Sequence, residues 1–526
     1  MSAELEKEET EIQDSTDAAS ATPAPTFSRK QLRRYQTGYF LSTFAIGPPF
    51  ASFVTYVGFQ LQNIGYVIGH APGEAPRSGC PPTATSCRVP FAGSGDVNLT
   101  SYILYLNAII YAVSGALTLI VSGIGDYVDY QRGQYVVQLI VYGILCLPIA
   151  SLGGSDLATF NTLSGLYVVF NIVGFIAGAW MNIFIPFVMQ QSEESTSPPP
   201  SSPSDESPNT DEDAARKGIE DAVKMGVWGS NGLSAGQIVL FVISIGLTFV
   251  STSSAGLYTT TGSGALCIAV SLLAWRLLPA PRPKHGQEEG EEGGMSAGEW
   301  LALPLRTFAP LFRQIWEHPE AFKFLLAYTV YNDTLFAFGA VTAQLFNLQV
   351  RPSLREFTYY SLAQPAASAA AATAFLYARR PARRRLGLTL RRWAALCYGL
   401  TCAAAVWCAV GIAPRSPIGF RRRWEFYAFQ ALQSGAAGIA GVVFRVLFSR
   451  LFPRGRAVRF FGLQLVLSLA TVWVPQIVNG PVVDATDNLR LPAAVCAALL
   501  LFCVVLALLV DEDKGMRQVG YRSTGD

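Results

Sequence analysis

The sequence of residues 491–510 is LPAAVCAALLLFCVVLALLV, a run of twenty residues without a charged side chain. About twenty helical residues, each rising about 1.5 Å, cross the roughly 30 Å hydrocarbon core of a bilayer. Lipid offers no water to the backbone N–H and C=O groups, so a spanning segment of this length must bond them internally as a helix. The run therefore predicts a transmembrane helix.

Eleven further apolar runs of similar length precede this one. Charged residues make up 14% and hydrophobic residues 51% of the 526 residues, whereas roughly a quarter of a soluble chain is charged. The short alternating segments of a membrane β-barrel, about ten residues each, are not found. The expected fold is an all-α polytopic membrane protein with about twelve spans, at Tyr39–Ile64, Ser101–Gly123, Tyr135–Leu152, Leu163–Met189, Gly226–Phe249, Tyr258–Leu277, Ala321–Phe346, Phe357–Ala378, Trp393–Ile412, Phe426–Leu447, Phe460–Asn479 and Leu491–Val510.

Hydrophilic segments divide this series. Residues 1–37 are expected to be a disordered cytosolic tail. Within it, Met1–Pro25 is acidic and lacks the apolar core of a signal peptide, so the first span is expected to act as an uncleaved signal-anchor. Residues 190–224 contain SPPPSSPSDESPNTDEDAA, a low-complexity acidic insert that is expected to be disordered. Residues 280–320 form a central linker, in which the amphipathic segment Trp300–Trp316 is a candidate interfacial helix.

This division predicts two six-helix bundles, residues 38–279 and 321–510, and a cytosolic tail at 511–526. The positive-inside rule sets their orientation. With the N-terminus in the cytosol, most of the 39 Lys and Arg residues lie on the cytosolic side, and Arg415 with Arg421–Arg423 is the exception. The strongest cytosolic cluster comprises Arg379, Arg380, Arg383, Arg384, Arg385, Arg391 and Arg392.

The long loop after the first span is non-cytosolic in this orientation. It contains Cys80 and Cys87, which can close a small loop through a disulfide bond in an oxidising compartment. Asn98-Leu99-Thr100 is an N-glycosylation sequon, although its position directly before the second span disfavours its use. The sequence predicts the Cys80–Cys87 disulfide and marks Asn98 as a glycosylation candidate.

Two charged residues lie inside predicted spans, where ionisable groups are costly and often functional. Asp333 lies in the seventh span, after Asn332, and Arg445 lies in the tenth. A carboxylate can carry a proton or bind an amine, and a guanidinium can bind a carboxylate at two points. Three interpretations remain: the two residues bind a zwitterion such as an amino acid, they pair with each other, or Arg445 snorkels towards Arg450.

Weaker signals accompany these charges. Asn182 in the fourth span is a substrate-binding candidate, although intramembrane amides more often bond between helices. Pro48 and Pro49 are expected to break the first span locally, because proline removes a backbone donor and clashes with the preceding turn. Four glycines share one face of the fifth span and predict close helix packing; they are Gly226, Gly229, Gly232 and Gly236.

The loop after the second span is GDYVDYQRG, residues 125–133. It resembles a degenerate form of the Gly-x-x-x-Asp-x-x-Gly-Arg loop of the major facilitator superfamily. In that superfamily the acid pairs with basic residues and gates the cytosolic face. The resemblance implies that Asp126 is the gating acid and Arg132 its basic companion.

Several passages resemble the autophagy-related protein 22 family of fungal vacuolar effluxers. The most specific are FRVLFSRLFPRGR at 444–456, FFGL at 460–463, GPVVDATDNLR at 480–490 and VDEDKG at 510–515. Others are CRVPF at 87–91, SYILY at 101–105, SGIGDY at 122–127 and AYTVYND at 327–333. The chain departs from the family at 45–50, AIGPPF, which lacks the acid that usually precedes Pro-Phe.

The resemblance implies a major-facilitator-like fold of two six-helix bundles that works by alternating access. It also implies a multi-pass protein of the vacuole membrane, which exports neutral amino acids such as leucine to the cytosol during autophagy. The candidate substrate-binding residues are then Asp333, Asn332, Arg445 and Asn182.

Other functions remain open. The chain could transport another small solute, such as a sugar, a drug or an organic ion, or it could be a non-transporting scaffold whose Ser-Pro-rich insert binds cytosolic partners and is phosphorylated. An enzyme is not expected, because no nucleophile, base and orienting group come together. The sequence also contains no zinc spacing or phosphate-binding loop, and its three His residues are interpreted as solvated surface residues, so no metal, cofactor or nucleic acid is expected.

Overall fold

A computed structural model gives the structure of the chain. It describes residues 28–81, 87–91, 95–125, 130–181, 184–194, 208–249, 255–279, 317–350, 352–413, 415–452, 457–475, 478–479, 482, 488 and 490–519. The described residues are mostly helical. The helices are α1 (Arg29–Ser52), α2 (Gly58–Ile68), α3 (Leu99–Gly125), α4 (Gln131–Ile144), α5 (Leu157–Met181), α6 (Phe184–Glu194), α7 (Pro208–Thr248), α8 (Ala255–Trp275), α9 (Pro319–Val350), α10 (Leu354–Leu386), α11 (Leu390–Val410), α12 (Arg423–Arg450), α13 (Ala457–Thr471), α14 (Leu491–Leu509) and α15 (Glu512–Gln518).

The prediction of a polytopic helical membrane protein is confirmed, and each predicted span overlaps at least one helix. Within the described ranges, nine helical segments are long and apolar enough to cross a bilayer. Helix α10 is not among them although it has 33 residues, because Tyr, Ser, Gln, Pro and Thr are interspersed with the alanines of its middle and five arginines lie near its end. Its length of about 50 Å, at about 1.5 Å per residue, exceeds the bilayer core.

The helices form two halves with matching internal packing. In the first half α1 packs against α7 and α8, α3 against α5, and α4 against α8. In the second half α9 packs against α13 and α14, α10 against α12, and α11 against α14. The same pairs of positions therefore contact in both halves, as expected of an internal structural repeat.

The most extensive contacts between the halves are those of α7 with α10 and of α3 with α13, and α7 also contacts α12. Residues of both halves belong to one large buried core, which includes Tyr39 and Phe184 of the first half and Phe324 and Phe444 of the second.

The predicted glycine face of the fifth span is confirmed. A Cβ atom on Gly232 would lie 2.3 Å from Thr43 Oγ1 and 2.5 Å from the Phe40 carbonyl oxygen of α1. On Gly236 it would lie 2.4 Å from the Phe44 carbonyl oxygen. No side chain fits at such distances, so α1 and α7 are in backbone contact along this face.

The expected break at Pro48 and Pro49 is wrong. Helix α1 continues through both prolines to Ser52 and then passes into a π-helical turn at Phe53–Val57 before α2 begins. The Phe53 N–H donates to the carbonyl oxygens of Pro49 and Phe50, and the Ser52 hydroxyl also donates to Pro49 at 3.0 Å. Helical hydrogen bonding therefore continues directly after the two prolines.

The prediction of disorder is wrong for residues 29–37, which belong to α1, and for 190–194 and 208–224, which are helical. Within α7 the residues before the apolar run contact α6: the Ser192 hydroxyl donates to Asp221 Oδ2 at 2.7 Å, and Ala222 and Val223 are buried. Residues 195–207 lie outside the described ranges, as do Trp300–Trp316 and most of the predicted linker.

The predicted disulfide is confirmed. Cys80 and Cys87 are bonded, with their Cα atoms 5.7 Å apart, and the bond closes the loop against an antiparallel hairpin of β1 (Arg88–Pro90) and β2 (Asp96–Asn98). Asn98 ends β2 immediately before α3, and its glycosylation stays a prediction. His70 is not a solvated surface residue as expected, because it is 8% exposed and its Nε2 lies 3.6 Å from Asp96 Oδ2.

The end of the described chain is docked on the second half. The Asp511 N–H donates to Glu320 Oε2 at 2.8 Å, and Arg450 Nη1 lies 3.6 Å from Glu512 Oε1. Met516 of α15 is 1% exposed. Helix α15 therefore lies across the ends of α9 and α12.

Candidate functional site

Asp333 lies near the middle of α9 and is 4% exposed. Two hydroxyl groups of α13 bond its carboxylate: Ser468 Oγ donates to Oδ1 at 2.9 Å, and Thr471 Oγ1 donates to Oδ2. Asn332 extends the network, because its Nδ2 donates to Ser468 Oγ at 3.3 Å. The sequence-predicted pair Asn332 and Asp333 therefore shares one partner.

The first half supplies the opposite wall of this network. Tyr111 of α3 lies close enough to Asp333 for the two groups to interact electrostatically. Tyr111 also interacts with Tyr167 of α5, whose hydroxyl donates to Asn107 Oδ1 of α3 at 3.2 Å. Polar groups of both halves thus meet around Asp333, and we call these residues the polar centre: Asn107, Tyr111, Tyr167, Asn332, Asp333, Ser468 and Thr471.

Arg445 lies on α12, about one and a half turns before the end of the helix at Arg450. Its guanidinium interacts electrostatically with two phenols, Tyr39 of α1 and Tyr328 of α9. Tyr328 is held by Phe444, on which its ring stacks at 3.6 Å with the planes 6° apart. Arg445 therefore joins residues of both halves.

This arrangement settles one alternative left open by the sequence. Asp333 and Arg445 do not pair with each other, and neither forms an ion pair within the part of the chain that the structure describes. Tyr328 and Asp333 are five residues apart on α9, which separates their levels along the helix by about 7.5 Å. The guanidinium and the carboxylate lie at different depths between the halves.

Contacts between the halves lie on both sides of the polar centre. On the side where α1 begins, Arg380 Nη2 of α10 lies 2.6 Å from Glu220 Oε1 of α7, and Ser449 contacts Met189. On the other side Tyr56 Oη lies 3.3 Å from Thr358 Oγ1. The Phe59 ring also stacks with the Phe357 ring there, at 6.1 Å. The two halves therefore contact each other on both sides of the polar centre.

Of the two predicted gating residues and the remaining substrate-binding candidate, the structure describes only Arg132. Asn182 and Asp126 lie outside the described residues. Arg132 is half-buried as the second residue of α4, so its pairing with Asp126 stays a prediction.

Sequence reasoning missed the hydroxyl groups of the site. Tyr39, Tyr111, Tyr328, Ser468 and Thr471 lie in apolar helices where such residues are common, so no local pattern singles them out. One signal was available: Tyr328 lies five residues before Asp333 within AYTVYND, one of the passages that carried the family resemblance. Only the packing of distant helices shows that these groups meet.

Comparison with known proteins gives the family. The model described as "Vacuole effluxer Atg22 like" matches residues 31–520. The chain belongs to this Atg22-like family. Autophagy-related protein 22 of Candida albicans is 26% identical over 491 residues, which cover 91% of this chain and 90% of that one. The Coccidioides immitis protein of the same name is 21% identical, over 80% of this chain and 74% of its own length.

Solved structures show the same fold in transporters. The human organic anion transporter MFSD10 (TETRAN) aligns with a TM-score of 0.56 at 12% identity, over 90% of this chain and 99% of its own. The xylose transporter XylE from E. coli aligns with a TM-score of 0.57 at 10% identity, over 92% and 99%. The expected major-facilitator fold is therefore confirmed, and this Atg22-like chain is a multi-pass membrane transporter rather than an enzyme.

Proposed function

We propose that this Atg22-like transporter exports neutral amino acids, such as leucine, from the vacuole lumen to the cytosol during autophagy. The vacuolar location and the direction of transport are taken over from the family, whose model is described as a vacuole effluxer. One observation carries the substrate class: Arg445, a half-buried guanidinium between the halves, has no acidic partner among the described residues.

Arg445 has no counter-charge among the described residues. A guanidinium away from bulk water is stabilised by a bidentate carboxylate, which offers two parallel charge-assisted hydrogen bonds. The neighbouring Tyr39 hydroxyl is fully buried and has no hydrogen-bond partner among the described residues. A buried hydroxyl of this kind can be satisfied by a bound ligand or by a water molecule. The carboxylate of an amino acid fits both groups.

The layout of the halves supports alternating access. Arg445 and Tyr328 belong to the second half, and Tyr39 belongs to the first. A substrate held between them would contact both halves, so rocking of one half against the other would carry the substrate from one side to the other. The Arg380–Glu220 pair would open on the cytosolic side, together with the proposed Asp126 gate.

The proposal also includes the orientation of the chain in the vacuole membrane. Both termini are placed in the cytosol, where exposed Arg383, Arg384 and Arg385 extend α10 beyond the bilayer core. The Cys80–Cys87 disulfide then lies on the lumenal side. Disulfide bonds persist in oxidising compartments and are rare in the cytosol.

One other substrate class has a specific observation in its favour. A free guanidinium would equally bind an organic anion without an amine, and the structurally similar MFSD10 is an organic anion transporter by name. The two classes differ only in whether the substrate ammonium contributes to binding.

A competition experiment separates the two substrate classes. The purified full chain is reconstituted in liposomes preloaded with leucine, and entry of labelled leucine by exchange is measured against three competitors. They are leucine, 4-methylpentanoate, which lacks the amine, and 3-methylbutylamine, which lacks the carboxylate. We expect leucine to compete best and the amine to compete worst. Equal or better competition by 4-methylpentanoate would identify an organic anion transporter, and no exchange of leucine would reject the amino-acid proposal.

A further inference from the structure

The position of Asp333 in the polar centre bears on what drives transport. We propose that Asp333 is a proton carrier and that each cycle moves a proton together with the substrate. This inference rests on the proposed function for its substrate, although not for the chemistry of the carboxyl group.

The first observation is the environment of the carboxylate. Asp333 is 4% exposed in the middle of a membrane-spanning helix, and no Lys, Arg or His forms an ion pair with it in the described part of the chain. An ionised carboxylate that leaves water without a counter-charge is costly, and a group in this position neutralises by taking up a proton.

The second observation is the choice of partners. Ser468 and Thr471 are hydroxyls, each of which can donate one hydrogen bond and accept others. They donate to Asp333 when it is ionised. When it is neutral, one hydroxyl can rotate and accept the bond from the carboxylic O–H. An Arg or Lys partner has donors only and would hold the group in its ionised form. The site therefore accommodates both protonation states without repacking.

The groups around Asp333 support the same assignment. The titratable groups that face it are Tyr111 from α3 and Cys503 from α14. From α13 it meets the two hydroxyls, and α11 and α12 bring no charged group to it among the described residues. None of these neighbours is a cation, so protonation is the means of neutralisation that the surroundings leave.

The third observation links the carboxyl group to movement of the halves. Asp333 and its hydroxyl partners belong to the second half, whereas Tyr111 belongs to α3, which packs on α13 across the interface. Rocking of the halves therefore changes the surroundings of Asp333. In the lumen-facing state a carboxylate oxygen takes a proton from a hydronium ion, so an O–H bond of the hydronium ion breaks as the carboxylic O–H bond forms. In the cytosol-facing state the carboxylic O–H bond breaks and the proton passes to a water molecule, which becomes hydronium.

Two measurements test the inference on the full-length protein in liposomes. The first records leucine flux and proton flux together, with labelled leucine and an enclosed pH-sensitive dye. We expect leucine entry to carry protons in the wild-type protein and in Asp333→Glu. We expect Asp333→Asn to lose the proton flux, whatever leucine flux remains. Asp156→Asn is the control, because Asp156 is an exposed residue that caps α5.

The second measurement needs no substrate. Infrared difference spectra between acidic and neutral buffer report the C=O band of a neutral carboxylic acid. The wild-type protein and Asp333→Glu should gain a band on acidification that Asp333→Asn lacks. Leucine flux without proton flux in the wild-type protein would overturn the inference and leave the proposed function standing. An unchanged infrared band in Asp333→Asn would also overturn it. Absence of leucine flux would reject the proposed function, while the infrared band would still decide whether Asp333 titrates.

Discussion

At the scale of single residues, the sequence identified the charged groups of the site but not their partners. Asp333 and Arg445 stand out because charges inside apolar spans are rare. Tyr39, Tyr111 and Ser468 do not, because hydroxyl residues in transmembrane helices usually bond within their own helix. Which hydroxyls face a charge depends on helix rotation and on contacts between distant segments. Asp333 and Arg445 lie at different depths, so one small zwitterion is not expected to contact both at once.

Arg445 gives a prediction at this scale. Arg445→Gln removes the charge and keeps a polar, although shorter, side chain. A hydrogen bond to a charged group contributes about 1.5–3 kcal/mol, so we expect the half-saturating leucine concentration to rise about ten- to a hundredfold. The measurement is the concentration dependence of leucine exchange in liposomes.

The control for this prediction is Arg384→Gln, which removes an exposed arginine from the end of α10. It should leave the concentration dependence unchanged. If Arg445→Gln behaves like Arg384→Gln, Arg445 does not bind the substrate.

At the scale of helices, the length of the apolar runs predicted the helices and the spacing of small residues predicted their close packing. The predicted break at Pro48 and Pro49 was wrong, and so was the predicted disorder of the described part of 190–224. The glycine face of α7 followed from spacing alone, because residues three and four apart share one side of a helix. Helix α1 continues through Pro48 and Pro49 and is followed by a π-helical turn at Phe53–Val57. Within α7, Asp221 accepts a hydrogen bond from Ser192 of α6. Neither feature can be seen from composition.

The contact between α1 and α7 predicts a difference between two glycines of one helix. Gly232→Ala places a Cβ 2.5 Å from a backbone oxygen of α1, so the helices must separate at a cost of about 1–3 kcal/mol. A Cβ on Gly246 meets nothing within 4 Å, and alanine is the better helix former there by about 1 kcal/mol. We expect Gly232→Ala to lower the melting temperature in detergent and Gly246→Ala to keep or raise it. Equal melting temperatures would show that α1 and α7 are not in close contact.

At the scale of the whole molecule, the fold class and the approximate positions of the apolar spans could be predicted, because bilayer thickness sets the length of every apolar run. The arrangement of the halves could not, since lipid-facing and protein-facing surfaces are both apolar in a membrane protein. The pairs α7 with α10 and α3 with α13 bring together segments more than a hundred residues apart. They place Asp333 opposite Tyr111 and Arg445 beside Tyr39. A site shared by both halves is what alternating access requires.

The central claim is that this transporter releases neutral amino acids from the vacuole. The most direct test is the efflux of labelled leucine from purified vacuolar vesicles, compared between cells that contain the protein and cells that lack it. The account predicts faster leucine efflux when the protein is present, and a return to the slow rate when Arg445→Gln replaces the wild-type chain. Equal efflux from both kinds of vesicle would contradict it.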